Sequence, residues 1–288
     1  GNFPAHRTIA DFRRQHLATF TTLFVQVVQI AREAGVVQLG TVAIDGTKVH
    51  ATASKRKAMS YKRMLEQERQ LRQQIVALTA AAEAADVAED ATHGVDARGD
   101  DLPAELQRRE HRLATIAAAK ARLEARQADA DRAQGRTPDD GRKSRGTKPF
   151  TRDFGVPPDD AQDNFTDPES RIMKTSYGFD QCYNGQLVVD ATAQIIVGTD
   201  LTACAADNDQ LVPLLDQVTT TVGTPPQTEI ADNGYKGEDH FVAVEDRGIT
   251  PYVSLGREGK PASATSPGPA TDRMAARLTS DEGRAAYR

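Results

Sequence analysis

From Thr8 onward, apolar residues recur at Ile9, Phe12, Leu17, Phe20, Leu23, Phe24, Val27, Val28 and Ala31, close to the 3.6-residue period of a helix with one apolar face. Thr8 is placed to cap its start and Gly35 to end it. The spacing therefore predicts a long amphipathic helix within an N-terminal helical segment, residues 1–38. The period then changes. Thr41-Val-Ala-Ile44 is a β-branched and apolar run, followed by Asp45-Gly46-Thr47 and Lys48-Val-His-Ala51, which reads as a strand or a tight hairpin about Gly46. Residues 39–55 are thus the first strand of the main domain. Met64, Leu71, Ile75 and Leu78, and later Leu106, Leu113, Ile116 and Leu123, fall at spacings of three, four or seven. These predict an antiparallel helical hairpin over 56–128, with the acidic, glycine-containing stretch from Asp86 to Pro103 as its loop. Residues 129–168 are rich in Asp, Gly, Pro, Arg and Lys without an apolar period, as in a flexible linker.

Beyond 169 the pattern alternates. Strands are expected at 186–190 and 194–198, a helix through Leu211, Leu214, Leu215 and Val218, and a strand at Thr228–Asp232. A helix from Glu238 to Asp246 and a strand from Ile249 to Leu255 follow. Strands first, then strand–helix alternation, predict an α/β (α+β mixed) fold, a mixed sheet flanked by helices, over the remainder 169–288.

Composition narrows the class. Of 288 residues, 39% are apolar and 27% charged, the balance of a globular protein with a core. No run approaches the ~18 apolar residues of a membrane span, and no leader pattern opens the chain, so a cytoplasmic protein without membrane contact is expected. Cys182 and Cys204 lack CxxC spacing, which argues against a disulfide framework or structural zinc; reduced, buried thiols are expected. The net charge of −5 does not advertise a nucleic-acid binder, but charge is unevenly spread. Lys55, Arg56, Lys57, Lys62, Arg63, Arg69 and Arg72 face only Glu66 and Glu68 within 54–72. Such a run either grips phosphates or forms a solvated helix face. Arg142, Lys143, Arg145 and Lys148 would add a basic arm. The chain opens at Gly1 without methionine and reaches Tyr287-Arg288 in a helical pattern, as a fragment of a longer protein would.

Two carboxylates stand out. Asp45 closes an apolar strand before Gly46, and Asp232 ends Glu229-Ile-Ala-Asp232 before the turn Asn233-Gly234-Tyr235. Ligands gather at strand ends of such sheets, and carboxylate oxygens suit Mg²⁺. Asp-Gly and Asp-Asn-Gly are also ordinary turn sequences, and composition alone favours that simpler reading. Asp207 and Asp209 precede a helix and read as its N-terminal capping acids. Asp190 and Asp200 read as turn residues, His50 as structural, and Glu258 and Glu282 as surface charges.

Five ordered blocks change the balance. Ala43-Ile-Asp-Gly-Thr47, Ala51-Thr-Ala-Ser54, Thr166-Asp-Pro-Glu-Ser-Arg171, Tyr183-Asn-Gly-Gln186 and Ile230-Ala-Asp-Asn-Gly-Tyr235 resemble the signature blocks of bacterial insertion-sequence transposases with a DDE domain. The resemblance spans nearly the whole chain. It implies an RNase H-like fold with an inserted helical hairpin, and Asp45 and Asp232 as the first two catalytic, metal-binding acids. It further implies two Mg²⁺ ions, with Mn²⁺ as the alternative, and DNA (element ends and target) as substrate, bound by a homodimer. Tyr183, Asn184, Gln186 and Tyr235 would position the site or the DNA, and Lys48, Lys55, Arg56, Lys57, Lys62 and Arg63 would contact DNA. Two departures stand. Gly185 replaces the family's usual alanine, and the family's third acid, a glutamate in a Tyr-x-x-Arg-x-x-x-Glu pattern, is missing; Tyr287 is placed to open that pattern. A fragment lacking this acid is expected to be inactive alone. The alternatives are an inactive remnant that binds DNA or partners an intact copy, and an RNase H-like nuclease that does not join strands.

Overall fold

A computed structural model of the chain describes residues 3–93, 104–140, 149–256 and 268–287. In chain order its elements are α1 (His6–Gln15), α2 (Leu17–Glu33), β1 (Thr41–His50), β2 (Ala58–Ser60), α3 (Tyr61–His93), α4 (Ala104–Ala133), β3 (Gln162–Asn164), β4 (Arg171–Thr175) and β5 (Gly178–Asp190). There follow β6 (Ile195–Thr202), α5 (Leu211–Val222), β7 (Thr228–Ala231), α6 (Glu238–Asp246), β8 (Thr250–Val253), α7 (Pro269–Thr279) and α8 (Asp281–Ala286). The chain divides into two compact units, residues 1–49 with 183–288, and residues 50–182. The second unit is therefore an insertion, in sequence, between the first strand and the rest of the first unit.

The first unit holds a mixed sheet. β6 pairs antiparallel with β5 from Asn184↔Thr202 to Asp190↔Ile195, β5 neighbours β1, and β1, β7 and β8 run parallel, giving the spatial order β6-β5-β1-β7-β8. The Ala191 N–H donates to the Thr41 carbonyl at 2.9 Å, so β5 ends where β1 begins and the two are antiparallel. Helix α5 buries Leu211, Leu214, Leu215 and Val218, a single stripe at spacings of three, one and three. Gly223 ends it in the left-handed conformation, φ 86°, which a residue without Cβ adopts at low cost. The core joins these side chains to Val42 and Ile44 of β1, Val188 of β5, Phe241 and Val244 of α6, and Met274 of α7. The predicted mixed α/β sheet flanked by helices is present.

The expected N-terminal helix is two, divided at His16. Val28 is buried, and Phe24 and Ala31 pack against the core. Phe12, Leu17, Leu23 and Val27 remain exposed, so within this chain the stripe is only partly covered.

In the second unit α3 lies along α4, as the heptad-like spacing requires. Met64, Leu71, Ile116, Ala119 and Leu123 form its core with Met59 and Tyr61. α3 continues to His93, so the first part of the predicted hairpin loop is helical; residues 94–103 lie outside the described residues. Residues 129–168 depart from a flexible linker wherever they are described. α4 extends into them, β3 pairs with β2, and Asp131, Arg136, Asp163 and Asn164 are buried. Charge rather than apolar periodicity fixes this stretch. Arg122 and Arg126 of α4 bind Asp163 at 2.7 and 3.0 Å. Asp131 accepts from the Gly155 N–H at 2.8 Å, and the Arg136 guanidinium lies 4.0 Å above the Phe150 ring. The predicted basic arm (Arg142, Lys143, Arg145, Lys148) and Glu258 lie outside the described residues. Among the described residues no helix is long and apolar enough to cross a membrane.

Candidate acid site

All the residues of the candidate site belong to the first unit. β1 does not stop at Asp45 as expected but runs through it to His50. What ends there is its pairing. The last register pair between β1 and β7 is Ile44↔Ala231, so Asp45 and Asp232 each directly follow the last paired residue of two adjacent parallel strands. Both are exposed. Each spends one oxygen on its own turn, Asp45 Oδ1 accepting from the Gly46 N–H at 2.7 Å and Asp232 Oδ1 from the Gly234 N–H at 2.7 Å. The turn reading and the ligand reading are therefore compatible, since the second oxygen of each carboxylate accepts no protein hydrogen bond among the described residues.

Behind them β5 buries polar groups. Alternation along the strand turns Asn184, Gln186, Val188 and Asp190 to the same face, and all four are fully buried. Buried amides are costly unless hydrogen-bonded, and three hydrogen bonds from two partners are supplied. Asn184 Nδ2 and Gln186 Nε2 donate to Asp207 Oδ1 at 2.6 and 2.9 Å, and the Tyr235 hydroxyl donates to Gln186 Oε1. Tyr235 is completely buried. Burial first, and then the negative charges of Asp207, Asp45, Asp232 and Glu229, push its phenol well above the ordinary range.

Asp207 is the residue the sequence misassigned. It stands at the start of the turn before α5, yet its side chain makes no capping bond. Its Oδ1 instead takes both amides and lies 3.4 Å from Lys48 Nζ, which also donates to the Ala205 carbonyl at 3.0 Å. Asp209, also expected to cap, lies 3.7 Å from His240 Nε2. Only the pattern of buried amides on β5, which need an acceptor, points to Asp207 in the sequence.

Asp190 performs the expected turn role with both oxygens, accepting from the Leu39 N–H at 3.0 Å and the Ala193 N–H at 2.9 Å. Tyr183 is half-buried on the opposite face of β5 from Asn184. At Gly185, the departure from the resembled pattern, a Cβ would meet Val49 Cγ2 at 3.2 Å, which gives the missing methyl a local reason. The Tyr287 hydroxyl donates to the Ala231 carbonyl at 3.1 Å, immediately before Asp232. Glu229 lies on β7 with both oxygens fully buried and unpartnered, and burial pushes its carboxyl up to about 8.

The basic residues divide. Lys48 is held inside the acid site. Lys55 to Lys57 form a single turn in the second unit, where Lys55 Nζ lies 3.1 Å from Asp180. Arg56, Lys57, Lys62 and Arg63 are exposed and enter no ion pair among the described residues. Of the two thiols, Cys182 is buried as expected, and Cys204 is exposed, on the turn between β6 and α5 where no core reaches it.

The donor set of the site is hard oxygen with an orphaned amide oxygen, Asn184 Oδ1, which suits Mg²⁺ or Mn²⁺ better than a softer metal. Among the described residues no group of three His, Cys, Asp or Glu is arranged to hold an ion. The chain matches no protein-family model, and no curated protein matches it.

Proposed function

We propose that the chain belongs to a DDE transposase of an insertion sequence, with an RNase H-like fold, acting in metal-dependent DNA cleavage and strand transfer. One observation carries the reading. Asp45 and Asp232, the acids of two of the five sequence blocks, occupy the positions immediately past the last pair of adjacent parallel strands, backed by residues of a third block, Asn184 and Gln186. The strand order β6-β5-β1-β7-β8, three antiparallel strands followed by strand–helix–strand, supports the RNase H-like assignment. An insertion between the first two strands agrees with the resembled layout.

Asp45 and Asp232 would hold the divalent ions, whose chemistry is to activate a water or 3′-hydroxyl and neutralise charge at the phosphodiester. Asn184, Gln186 and Tyr235 form the hydrogen-bonded, buried floor of the site. The exposed Arg56, Lys57, Lys62 and Arg63 supply sequence-independent affinity for the DNA backbone. Tyr287, docked against the strand end that carries Asp232, supports its assignment as the first residue of the Tyr-x-x-Arg-x-x-x-Glu pattern. No glutamate within residues 1–288 occupies that pattern.

In the full-length protein, Asp232→Asn is expected to abolish Mg²⁺-dependent cleavage of element-end DNA while leaving DNA affinity within about twofold. Equal loss of both contradicts the metal role. Cleavage without joined products on a supercoiled target assigns a nuclease instead.

A further inference from the structure

Asp207 has no place in the mechanism that the resemblance implies, yet it is the most heavily engaged acid of the site. Oδ1 collects Asn184 Nδ2 at 2.6 Å, Gln186 Nε2 at 2.9 Å and Lys48 Nζ at 3.4 Å. Oδ2 accepts no hydrogen bond among the described residues. The loops on either side leave room for this carboxylate. A Cβ on Gly46 would lie 2.7 Å from Asp207 Oδ1, and one on Gly234 would lie 3.2 Å from Asp207 Oδ2 and 2.9 Å from Asp232 Oδ1. Asp207 is thus wedged between the turns that follow Asp45 and Asp232. A second observation points to a ligand at this place. Asn184 is fully buried, its Oδ1 has no partner among the described residues, and that atom lies 3.3 Å from the same Gly46 position. A buried carbonyl oxygen without a donor costs stability, and a cation or its bound water would satisfy it.

We propose that Asp207 is a positioning residue of the acid site, whose carboxylate sets the spacing of the Asp45 and Asp232 turns and adds a fixed negative charge that Lys48 tempers. The proposal rests on the metal-dependent reading above. Three donors on Oδ1 fix the carboxylate's orientation, so its charge stays directed at the cation position without coordinating the ion. Lys48, 21% exposed at its side chain, opposes that charge from beside Oδ1. Cation affinity is therefore set by the difference between the two, and each can be moved separately.

The test is titration of the full chain with Mn²⁺, followed by the paramagnetic signal of the free ion, with thermal unfolding of every variant measured alongside. Asp45→Asn and Asp232→Asn should abolish binding. Asp207→Asn should weaken it about tenfold, Lys48→Met should strengthen it several-fold, and the double variant should return towards the unmodified affinity, as expected for opposed charges within a few ångströms of the ion. A merely structural Asp207 would lower the unfolding temperature and leave Lys48→Met without effect on Mn²⁺. If Asp45→Asn and Asp232→Asn abolish binding while Asp207→Asn stays within twofold, the positioning role is overturned and the metal reading stands. If none of the four single substitutions changes Mn²⁺ binding, the metal reading itself fails. Should Asp207→Asn not fold, Lys48→Met alone decides, since unchanged affinity there overturns the proposal.

Discussion

Two aspartates, one in each unit, collect donors in opposite ways. Asp163 in the second unit is fully buried and saturated, with Arg122 reaching Oδ1 at 2.7 Å and Arg126 reaching Oδ2 at 3.0 Å. Asp207 in the first unit is held through Oδ1 alone, by two neutral amides and one lysine, with Oδ2 bare. A carboxylate saturated at both oxygens by cations is scaffold, because nothing is left to bind. One fixed through a single oxygen keeps a directed charge for something the protein does not supply. The difference separates structure from function more sharply than burial does.

The comparison can be broken first at Asp163. Asp163→Ala should destabilise the chain by about 3 kcal/mol, since removing one partner leaves guanidiniums partly desolvated and unpaired, while Mn²⁺ affinity stays unchanged. Chemical denaturation with metal titration checks both halves. A large change in metal affinity would erase the distinction. Next in size is Gly46→Ala. Its methyl would press on Asp207 and Gln186 at 2.7 Å, at a cost of roughly 1–3 kcal/mol for overpacking, and here metal affinity should fall together with stability.

Glu229 sharpens the comparison from a third direction, as a carboxylate with no donor among the described residues. Its folded-state value is raised to about 8 by burial, so the folded protein binds a proton that the unfolded chain has released. Stability should therefore fall as pH rises from about 4.5 to about 8, and level off above. Glu229→Gln should flatten that slope and raise the unfolding temperature at pH 8 by a few degrees, ~2–4 °C per kcal/mol. A slope unchanged in the variant assigns the pH dependence elsewhere. The smallest effect concerns the exposed bases. Replacing Arg56, Lys57, Lys62 and Arg63 by Gln should leave folding untouched and lower the salt slope of DNA binding by up to about 0.9 for each phosphate no longer neutralised. An unchanged slope would make them a solvated face.

The sequence reveals what periodicity carries. Leu211, Leu214, Leu215 and Val218 mark α5, the heptad-like spacing marks α3 and α4, and the helix from Glu238 to Asp246 has the expected limits. It conceals what depends on partners distant in the chain. Residues 129–168 look unstructured because ion pairs with α4 hold them, and ion pairs leave no period. The break at His16 has no proline or glycine to announce it. At the site, the turns after Asp45 and Asp232 are legible because Gly46 and Gly234 mark them, while the ligand role of the two acids comes from the resemblance. Asp207 is concealed by an ordinary capping position, and its role shows only when β5 brings Asn184 and Gln186 against it.

The central claim is that Asp45 and Asp232 together form a divalent-cation site. Mn²⁺ titration of the chain with and without Asp232→Asn tests it most directly. Saturable binding that is lost in the variant, with an unchanged unfolding temperature in the absence of metal, is the predicted result. Equal binding by both proteins would contradict it.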